Sequence, residues 1–425
     1  VAEQGADSPN LFVYYDGNSP AIPTLYCDFS EPGKPRYVRS YKVPNKLEPP
    51  ISKKENENAA DSRSIVNFVD WCVILVEVEH ESGEISFGRR AQKYALIFSG
   101  HSLGFQDIGL FKDESSGKSM KMTDFYDVLT RITGTNKELD ELANSKGLEG
   151  EERKAHTKKL LGQKLDLLGF DSCVMGMLEV GYQFSDSAKT IIASEGSVPS
   201  AGWTYAKILG CLTREQNRNI DTPRVAELFV KEFIQSQDAY TVGGVSVDMA
   251  AWDVTRFDEL ASAFADLSEA LLECFEDSNS RIYRQMERVI LQVHWKCQSY
   301  MYDQNVDLGD FCELLDRECG FLADELGSGD DLETVACVQT ACRTVLDELQ
   351  RAVILSGFSG GGYQYSNGVS VFFPWSRNAY EVSKKNYESL WFAKEAKRRR
   401  KSWKDFLKKY LYEVTVRKSA PTNPD

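Results

Sequence analysis

Residues 165–173 read LDLLGFDSC, an apolar run that ends at a cysteine, Cys173. A second apolar run, YALIFS at 94–99, ends two residues before His101. Continuous apolar runs of this length are typical of strands that are buried on both faces, as in parallel sheets covered by helices. Because the chemistry of such sheets gathers at the carboxyl ends of the strands, we expect His101 and Cys173 to lie at one edge of a buried sheet.

Helical patterns alternate with strand-like runs along the rest of the chain. Apolar residues from Phe257 to Leu271 recur at alternating spacings of three and four, which predicts an amphipathic helix. A late apolar run at 369–373, closed by Pro374, predicts one more strand. Strands that alternate with helices and are apolar on both faces indicate an α/β protein with a mainly parallel central sheet.

The chain is long enough for more than one structural part. Its 425 residues exceed the size at which a single hydrophobic core usually stops growing. We predict that residues 1–250, which contain both strand ends, form the catalytic domain, with a Pro- and charge-rich excursion at 19–58. We predict that residues 251–425 form a C-terminal helical region, with its late strand at 369–373, that packs on this domain.

The acidic composition narrows the classes of partner. The formal net charge is −14, from 50 Lys and Arg against 64 Asp and Glu. Such a field repels phosphate backbones, so we expect no nucleic-acid partner. No stretch approaches the roughly 18 consecutive apolar residues of a membrane span, so we expect no membrane association.

The ten cysteines and four histidines show no metal-ligand spacing. There is no C-x-x-C pair, and the histidines are far apart, so we expect no metal site. A chain of this size does not need a disulfide framework, and we interpret most cysteines as reduced and buried. This favours a cytoplasmic location. Secretion is the alternative, since the sequence starts at Val1 and a leader could precede it.

A cysteine nucleophile needs a base or an imidazolium partner, and the histidines differ in their fitness for that role. Only His101 follows a buried strand and precedes a small-residue turn, GHSLG. His80 and His156 lie in charged stretches, which predicts solvated surface residues. His294 lies in an apolar helical pattern, which predicts a packed core residue. The pattern alone leaves open whether Cys173 is a nucleophile or only a packing residue, as most of the other nine cysteines would be.

Asp171 lies two residues before Cys173. In an extended segment such residues face the same side, so both would face one cleft. A carboxylate beside a thiol raises the thiol pKa, which is the wrong direction for activation. One role for Asp171 is therefore that of a charge partner for a cationic substrate side chain. The alternative is an acid at the start of the following helix.

One block of the sequence carries a family resemblance. Residues 168–195, LGFDSCVMGMLEVGYQFSDSAKTIIASE, resemble the nucleophile region of the clostripain family of cysteine peptidases, and GWTY at 202–205 extends the match. Upstream, AQKYALIFSGHSLGF is similar to the family's strand and histidine loop. Downstream, GGVSVDMAAWD, NVDLGDF, NGVSVFFPWS and WKDFLKKYL follow in family order. The resemblance extends over residues 59–410.

The resemblance implies a caspase-like α/β/α sandwich and an endopeptidase that cleaves protein or peptide substrates after Arg or Lys through an acyl-enzyme. It implies that His101 is the general acid/base and Cys173 the nucleophile. Asp171 matches the acid of the pocket for the basic side chain, and Gly202 and Trp203 belong to the same pocket. A buried guanidinium or ammonium needs such a carboxylate.

The resemblance also implies an oxyanion site made of the backbone N–H groups of Cys173 and Ser102. Here the chain departs from the family, which usually has glycine directly after the histidine. If the loop needs a positive φ at this position, Ser102 would be strained, with glycine delayed to Gly104. A second departure concerns Ser200 and Ala201, where some relatives carry a further acid, so selectivity for Arg and Lys would be weaker.

Family members are often zymogens, which implies activation by cleavage after a basic residue between the histidine and the cysteine. We predict that residues 112–164 are the activation segment, cut by the enzyme itself or by another protease. The alternative is a plain solvated helical insertion. The candidate residues are Lys118, Lys121, Arg131, Lys137, Lys146, Arg153, Lys154, Lys158 and Lys159.

Three further expectations concern a cofactor, the basic C-terminal stretch and a rival function. The chemistry requires no cofactor, the resemblance leaves a calcium requirement open, and no EF-hand-like loop is present. The basic stretch Lys394–Lys409 is interleaved with aromatic residues, which favours a terminal helix docked on the core over a nucleic-acid or membrane site. The rival function is that of a catalytically weak relative acting as a binding or regulatory module, and a hydrolase of non-peptide substrates has nothing specific in its favour.

Overall fold

This computed structural model describes residues 9–30, 33–43, 47, 56–74, 77–79, 85–87, 91–106, 110–214, 220–237, 245–300, 304–395 and 402–414. The strands are β1 (Phe12–Tyr15), β2 (Leu25–Asp28), β3 (Arg36–Arg39), β4 (Glu77–Glu79), β5 (Ile85–Phe87), β6 (Ala95–Ser99), β7 (Leu110–Asp113), β8 (Lys118–Met120), β9 (Leu165–Asp171), β10 (Ala188–Ala193), β11 (Val247–Asp253), β12 (Ser299–Tyr300), β13 (Asn305–Asp307), β14 (Val353–Ser359) and β15 (Ser370–Phe372). The helices are α1 (Ser62–Ile74), α2 (Met122–Thr133), α3 (Asn136–Ser145), α4 (Gly150–His156), α5 (Leu178–Phe184), α6 (Tyr205–Leu212), α7 (Thr222–Gln237), α8 (Phe257–Glu273), α9 (Arg281–Lys296), α10 (Leu308–Leu326), α11 (Asp330–Ala352), α12 (Arg377–Tyr387), α13 (Trp391–Glu395) and α14 (Trp403–Lys409).

A five-stranded sheet in the order β14-β11-β10-β9-β6 carries the candidate site. β9 is parallel to both β6 and β10, and β11 is antiparallel to both β10 and β14. Every residue of β9 is buried, as its continuous apolar run predicts. The sheet is therefore α/β in type, and the predicted class is confirmed.

The sheet is mixed, with two parallel and two antiparallel pairings, whereas the sequence predicted a mainly parallel one. The difference follows from the number of connecting helices. One helix, α5, connects β9 to β10, and a single returning helix leaves the next strand parallel to the first. Two helices, α6 and α7, connect β10 to β11. The second helix carries the chain back again, so β11 enters the sheet in the opposite direction.

Apolar side chains cover both faces of the sheet. On one face, Phe98 of β6 and Phe170 of β9 pack with Phe125 of α2 and Phe184 of α5. On the other face, Leu167 of β9 belongs to a second cluster with side chains of α6 and α7. Successive residues of a strand point to opposite faces, so one apolar run supplies both layers. This is the layered arrangement of an α/β/α sandwich.

The C-terminal half of the chain also contributes to the sheet. The predicted helix from Phe257 is α8, and β14 follows α11 and pairs with β11 at the sheet edge. The predicted late strand is β15, which pairs with β13 in a separate three-stranded sheet. In the basic stretch, α14 buries Trp403 and Phe406, and residues 396–401 lie outside the described residues. The domain division at residue 250 stays a prediction.

The N-terminal region forms a small antiparallel sheet, β1-β2-β3, so the excursion at 19–58 contains β2 and β3. Its aromatic side chains pack on α1, with Tyr26 against Phe68 and Phe12 against Trp71.

Within the described residues, no helix combines the length and the apolar character needed to cross a membrane. The cytoplasmic location stays a prediction.

Candidate active site

Two strand ends meet at one edge of the central sheet. β6 and β9 are parallel neighbours, and Ser99 lies opposite Asp171 in their register. The Gly100 N–H donates to the Asp171 carbonyl at 3.2 Å, so the pairing continues past the end of β6. His101 and Cys173 each follow this pair by two residues. The structure thus brings both predicted catalytic residues to the same edge.

The loop that carries Cys173 is held by a second loop, residues 194–198. The Cys173 Sγ accepts a hydrogen bond from the Val198 N–H at 3.3 Å and lies 3.7 Å from the Val198 carbonyl oxygen. The Val174 N–H donates to the Gly196 carbonyl at 2.9 Å. The half-buried thiol of Cys173 is therefore held against the 194–198 loop.

The residue after Cys173 has a strained backbone. Val174 has φ 58°, which is rare for a β-branched residue and costs about 1–3 kcal/mol. Gly104 of the histidine loop, with φ +61°, packs against it. A Cβ at Gly104 would lie 3.0 Å from the Val174 carbonyl oxygen and 2.8 Å from the Met177 sulfur. Only glycine lets the two loops approach this closely.

Ser102 joins the two loops directly. It is buried, and its Oγ donates to the Cys173 carbonyl at 2.5 Å. Its φ is not positive, because Phe111 and Val174 are the non-glycine residues with positive φ in the described part of the chain. The strain that the sequence suggested for serine at this position is therefore absent, and it is found at Val174 instead.

His101 is exposed and contacts a glutamate that the sequence did not indicate. Its Nε2 lies 3.4 Å from Oε1 of Glu114, in the turn between β7 and β8. The Phe111 N–H donates to the His101 carbonyl at 3.1 Å, and the Asp113 carboxylate accepts from the Ser115 N–H at 2.8 Å. These bonds fix the hairpin beside the histidine. Glu114 thus contacts Nε2 of the ring, and no contact of Nδ1 is present among the described residues.

Asp171 is buried at the end of β9, and its two carboxylate oxygens have different surroundings. Oδ2 accepts hydrogen bonds from the Ser99 hydroxyl at 3.0 Å, the Trp203 N–H at 3.1 Å and the Tyr205 hydroxyl at 2.8 Å. Oδ1 is buried and has no hydrogen-bond partner among the described residues. Burial raises the pKa of Asp171, and the three donors oppose that shift. An unpartnered buried carboxylate oxygen fits a positively charged ligand.

Gly202 and Trp203 lie against this carboxylate, as the resemblance implied. Gly202 has φ +64°, and a Cβ there would lie 2.7 Å from Oδ2 of Asp171. The buried Trp203 ring packs over the sheet, where a Cβ at Gly169 would approach it to 3.0 Å. Trp203 therefore positions the backbone N–H that binds Asp171. Ser99 and Tyr205 were not predicted as site residues, because their contact with Asp171 arises only on folding.

A second group of buried acids lies in and around the loop 194–198 and binds backbone N–H groups there. Asp248 accepts from the N–H groups of Glu195 at 2.6 Å and Gly196 at 2.8 Å. The Glu195 carboxyl in turn accepts from the Gly368 N–H at 2.9 Å. Asp307 accepts from the Asp310 N–H at 2.7 Å. We call Glu195, Asp248 and Asp307 the buried acid cluster.

Burial raises the pKa values of the buried acid cluster, to about 7 for Asp248 and about 6 for Asp307. The pKa of Glu195 is raised by burial first and then by the charges of Asp307 and Asp248. Like charges in a dry interior cannot all be ionised at once. The cluster therefore holds protons at mildly acidic pH.

The other histidines have structural surroundings. His294 stacks between Phe373 and Trp375, with ring centroids 3.9 and 3.8 Å away, and burial lowers its pKa to about 3. This agrees with a packed core residue. His156 is partly buried rather than solvated, because α4 packs near the buried Arg131, and burial lowers its pKa to about 4. His80 lies outside the described residues.

The described residues contain no group of three or more His, Cys, Asp or Glu side chains arranged to hold a metal ion. The ten cysteines are free thiols, and Cys337 is the exposed one. The arrangement at the sheet edge thus combines a thiol, an imidazole, backbone N–H groups and a buried carboxylate. Such a set can carry out nucleophilic catalysis on an acyl group.

Comparison with known proteins gives a consistent result. The sequence model of the clostripain family matches residues 90–410. The clostripain of Hathewaya histolytica is 26% identical over 420 residues, which cover 87% of this chain and 69% of that protein.

Solved structures show the same fold. A secreted C11 cysteine protease from Bacteroides thetaiotaomicron, in complex with an irreversible peptide inhibitor, superposes with a TM-score of 0.52 at 15% identity, covering 89% of this chain and 88% of that one. An inactive zymogen C11 protease from Parabacteroides distasonis superposes with a TM-score of 0.51 at 14% identity, covering 92% and 89%. The predicted caspase-like α/β fold is confirmed.

Proposed function

The chain belongs to the clostripain family and is a cysteine peptidase, and from this premise we propose that Cys173 is its nucleophile, that His101 is its general acid/base and that it cleaves after Lys or Arg. The observation that carries the proposal is the pairing of β6 with β9. That pairing puts the histidine and the cysteine at one edge, directly above Asp171.

The proposed reaction proceeds through an acyl-enzyme. His101 takes the thiol proton of Cys173, and the sulfur attacks the carbonyl carbon of the scissile peptide bond. The carbonyl oxygen becomes an oxyanion. The C–N bond then breaks as His101 gives its proton to the leaving amine. In the second half, His101 takes a proton from water, and the hydroxide displaces the sulfur and forms the new carboxyl end. His101 then returns its proton to the sulfur of Cys173.

The backbone N–H groups of Ser102 and Cys173 are the proposed oxyanion donors. Neither has an acceptor among the described residues, so both are free to bind a developing negative charge. Ser102 needs no positive φ to present its N–H, and its hydroxyl fixes its position through the Cys173 carbonyl. Replacement of glycine by serine therefore leaves the proposed oxyanion site intact.

Because protein groups supply each step, we propose that the reaction requires no cofactor. Activity assays with and without EDTA test this proposal and a requirement for calcium.

Asp171 supports a basic residue before the scissile bond. Its Oδ1 has no hydrogen-bond partner among the described residues and lies beneath the edge that carries Cys173. A cationic side chain would give this oxygen a partner, and the attraction is strong where water is excluded. An acidic or apolar side chain would leave the carboxylate unpaired. We propose Gly202 and Trp203 as the residues that hold the pocket around Asp171.

The test of the catalytic pair uses fluorogenic peptides ending in Arg, Lys, Asp or Leu. We expect cleavage after Arg or Lys, and its loss in Cys173→Ala and in His101→Ala. The exposed Cys337→Ala variant is the matched control and is expected to keep full activity. If no peptide is cleaved even after limited proteolysis of residues 112–164, and Cys173 alkylates no faster than Cys337, the chain is a binding module rather than an active peptidase.

We propose that the enzyme is a zymogen cut within residues 112–164, and the structure reduces the candidate positions. Proteolysis requires exposed, irregular chain. Arg131 is buried in α2, and several other candidates lie within helices. Lys146 directly precedes Gly147, with φ +64°, in the connection between α3 and α4. Lys158 and Lys159 follow α4. Lys121, between β8 and α2, is exposed and irregular as well. We propose that the cut falls after one of these four lysines.

Alanine at the cleaved lysine should leave the chain intact and weakly active. The variants are Lys121→Ala, Lys146→Ala and the double variant Lys158→Ala with Lys159→Ala, and Lys137→Ala within α3 is the control. We expect one of the first three to block both the appearance of two fragments on a denaturing gel and the rise in activity. Full activity from an uncut chain would rule out the zymogen proposal.

A further inference from the structure

His101 depends on neighbouring chain for its position, because little of its side chain is packed. The side chain is 72% exposed, and its Nε2 lies 3.4 Å from Oε1 of Glu114. On the backbone, the Phe111 N–H donates to the His101 carbonyl at 3.1 Å. Both contacts come from the hairpin of β7 and β8. The placement of the histidine therefore follows the placement of this hairpin.

The hairpin is too small to be rigid by itself. β7 and β8 form a separate two-stranded sheet, and their register is irregular between Leu110 and Asp113. An isolated two-stranded hairpin is marginally stable in water. One side is attached to the core through Phe111, which stacks on Phe98 with ring centroids 4.7 Å apart. The turn that carries Glu114 needs a separate attachment.

Residues 56–59, which we call the anchor segment, supply that attachment. The Ala59 N–H donates to Oδ2 of Asp113 at 3.1 Å. The other oxygen, Oδ1, accepts from the N–H groups of Ser115 and Ser116 at 2.8 and 2.9 Å. Asp113 is buried, so these bonds are shielded from competing water. One carboxylate thus joins the anchor segment to the turn through its two oxygens.

The anchor segment is itself fixed in the N-terminal region. The buried Asn56 donates through Nδ2 to Oδ1 of Asp16 at 3.1 Å and to the Ile22 carbonyl at 2.9 Å. Its Oδ1 accepts from the Ser115 hydroxyl of the turn at 2.6 Å. The sequence model of the family begins at residue 90, so the anchor segment lies outside it. A part of the chain that the family match does not include therefore reaches the histidine hairpin.

Building on the function proposed above, we infer that Asn56 and Asp113 are positioning residues that hold His101 in place for catalysis. They touch neither the substrate nor the reacting atoms. Loss of either attachment should let the turn that carries Glu114 move. The imidazole would then lie at the correct distance from Cys173 for a smaller fraction of the time. kcat should fall while KM changes little, because the proposed substrate pocket is left intact.

The test variants are Asp113→Asn and Asn56→Ala, and the exposed Asn18→Ala in the same region is the matched control. In Asp113→Asn the amide oxygen can replace Oδ1 toward the turn, and the NH2 group then faces the Ala59 N–H without accepting from it. With lysine peptides we expect kcat to fall by about tenfold, since a small displacement of a catalytic group is costly. KM should stay within about twofold of wild type. Asn56→Ala should act in the same direction and serves if the first variant is poorly folded.

Alkylation of Cys173 by iodoacetamide shows whether the effect passes through the histidine. The rate is measured by mass spectrometry of the peptide that contains this cysteine. We expect His101→Ala to slow the reaction and Asp113→Asn to slow it less. The double variant should react at the rate of His101→Ala alone, because two changes that act through one group are not additive. A merely structural role of Asp113 would slow the double variant further.

The outcomes separate this inference from the proposed function. If the wild-type protein cleaves no lysine peptide, or if His101→Ala keeps its activity, the proposed function fails and the inference fails with it. If His101→Ala is inactive but Asp113→Asn and Asn56→Ala both keep the wild-type kcat, the inference alone is overturned. The same holds if kcat falls only in proportion to the folded fraction, or if the alkylation effects add.

Discussion

Two buried acidic regions lie beside the loop that carries Cys173, and they use their carboxyl groups differently. In the buried acid cluster, the oxygens of Asp248 and Asp307 accept from backbone N–H groups and hold chain segments in place. At Asp171, all donors converge on one oxygen and leave the other free. Burial is common to both regions, and so is a raised pKa. The distribution of hydrogen bonds, and not burial, distinguishes Asp171 from Asp248 and Asp307. Glu195 resembles Asp171 in this respect, because its Oε2 accepts from Tyr300 and Gly368 while its Oε1 has no hydrogen-bond partner among the described residues.

The comparison is tested most strongly at Asp171. Asp171→Asn keeps the shape of the side chain and an oxygen for the Tyr205 hydroxyl but removes the charge. We expect kcat/KM for lysine peptides to fall by about 100-fold or more, because the ammonium loses a buried charge partner. The melting temperature should stay close to that of the exposed control Asp266→Asn. A large loss of stability with little loss of activity would assign Asp171 to the supporting class.

The corresponding change in the buried acid cluster is Asp248→Asn. The amide has one oxygen for two N–H donors, so one buried N–H is left unsatisfied. We expect the free energy of unfolding, measured in urea, to fall by about 1–3 kcal/mol. The ratio of kcat/KM for lysine peptides to that for arginine peptides should not change. If it does change, the cluster takes part in substrate selection and the distinction drawn above is wrong.

The raised pKa values of the buried acid cluster should make the free energy of unfolding depend on pH. Acids with a pKa raised by folding bind more protons in the folded state, so each destabilises the protein as pH rises from its unfolded to its folded pKa. For this cluster the window runs from about pH 4 to about pH 7. Glu195→Gln removes one such group, and the loss of stability across this window should shrink by an amount on the order of 1 kcal/mol. Parallel urea titrations at pH 5 and pH 7.5 measure it, and an unchanged difference would show that Glu195 keeps no proton on folding.

Glu114, an exposed acid, should have the smallest effect. It contacts His101 at 3.4 Å in solvent, where a single ion pair is worth roughly 1 kcal/mol or less. We expect Glu114→Gln to lower kcat/KM by about two- to fivefold for lysine and arginine peptides alike. A loss approaching that of Asp171→Asn would show that Glu114 orients the histidine far more strongly than an exposed contact predicts.

Local sequence patterns predicted the parts of the site that lie on the chain near its strands. The apolar runs before His101 and Cys173 predicted two buried strands, and parallel neighbours necessarily share an edge. The position of Asp171 predicted a carboxylate facing the cleft, and the family resemblance implied its neighbours Gly202 and Trp203. These inferences needed only the period of a strand and the order of the motifs.

Long-range contacts were not predictable in the same way. The direction of β11 depends on the number of helices between β10 and β11, and the pairing of β14 with β11 joins distant parts of the chain. The pattern of apolar residues predicts neither. Glu114 reaches His101 through a hairpin, and Tyr205 reaches Asp171 from the start of α6. His156 lies in a lysine-rich stretch that predicted a solvated side chain, yet packing near Arg131 partly buries it. Each case is a tertiary contact with no periodic signal in the sequence.

The aromatic contacts of Phe125 and the pairing of β6 with β9 have a consequence for the form in which an activated enzyme would exist. A break near Lys146 or Lys158 would separate the chain into two polypeptides, with β6 and α2 in one and β9 in the other. The two would remain joined by a shared sheet and a shared hydrophobic core. The mature enzyme would then be a noncovalent heterodimer, whose active site draws its histidine from one subunit and its cysteine from the other. Both subunits would derive from one precursor and would therefore be present in equal amounts.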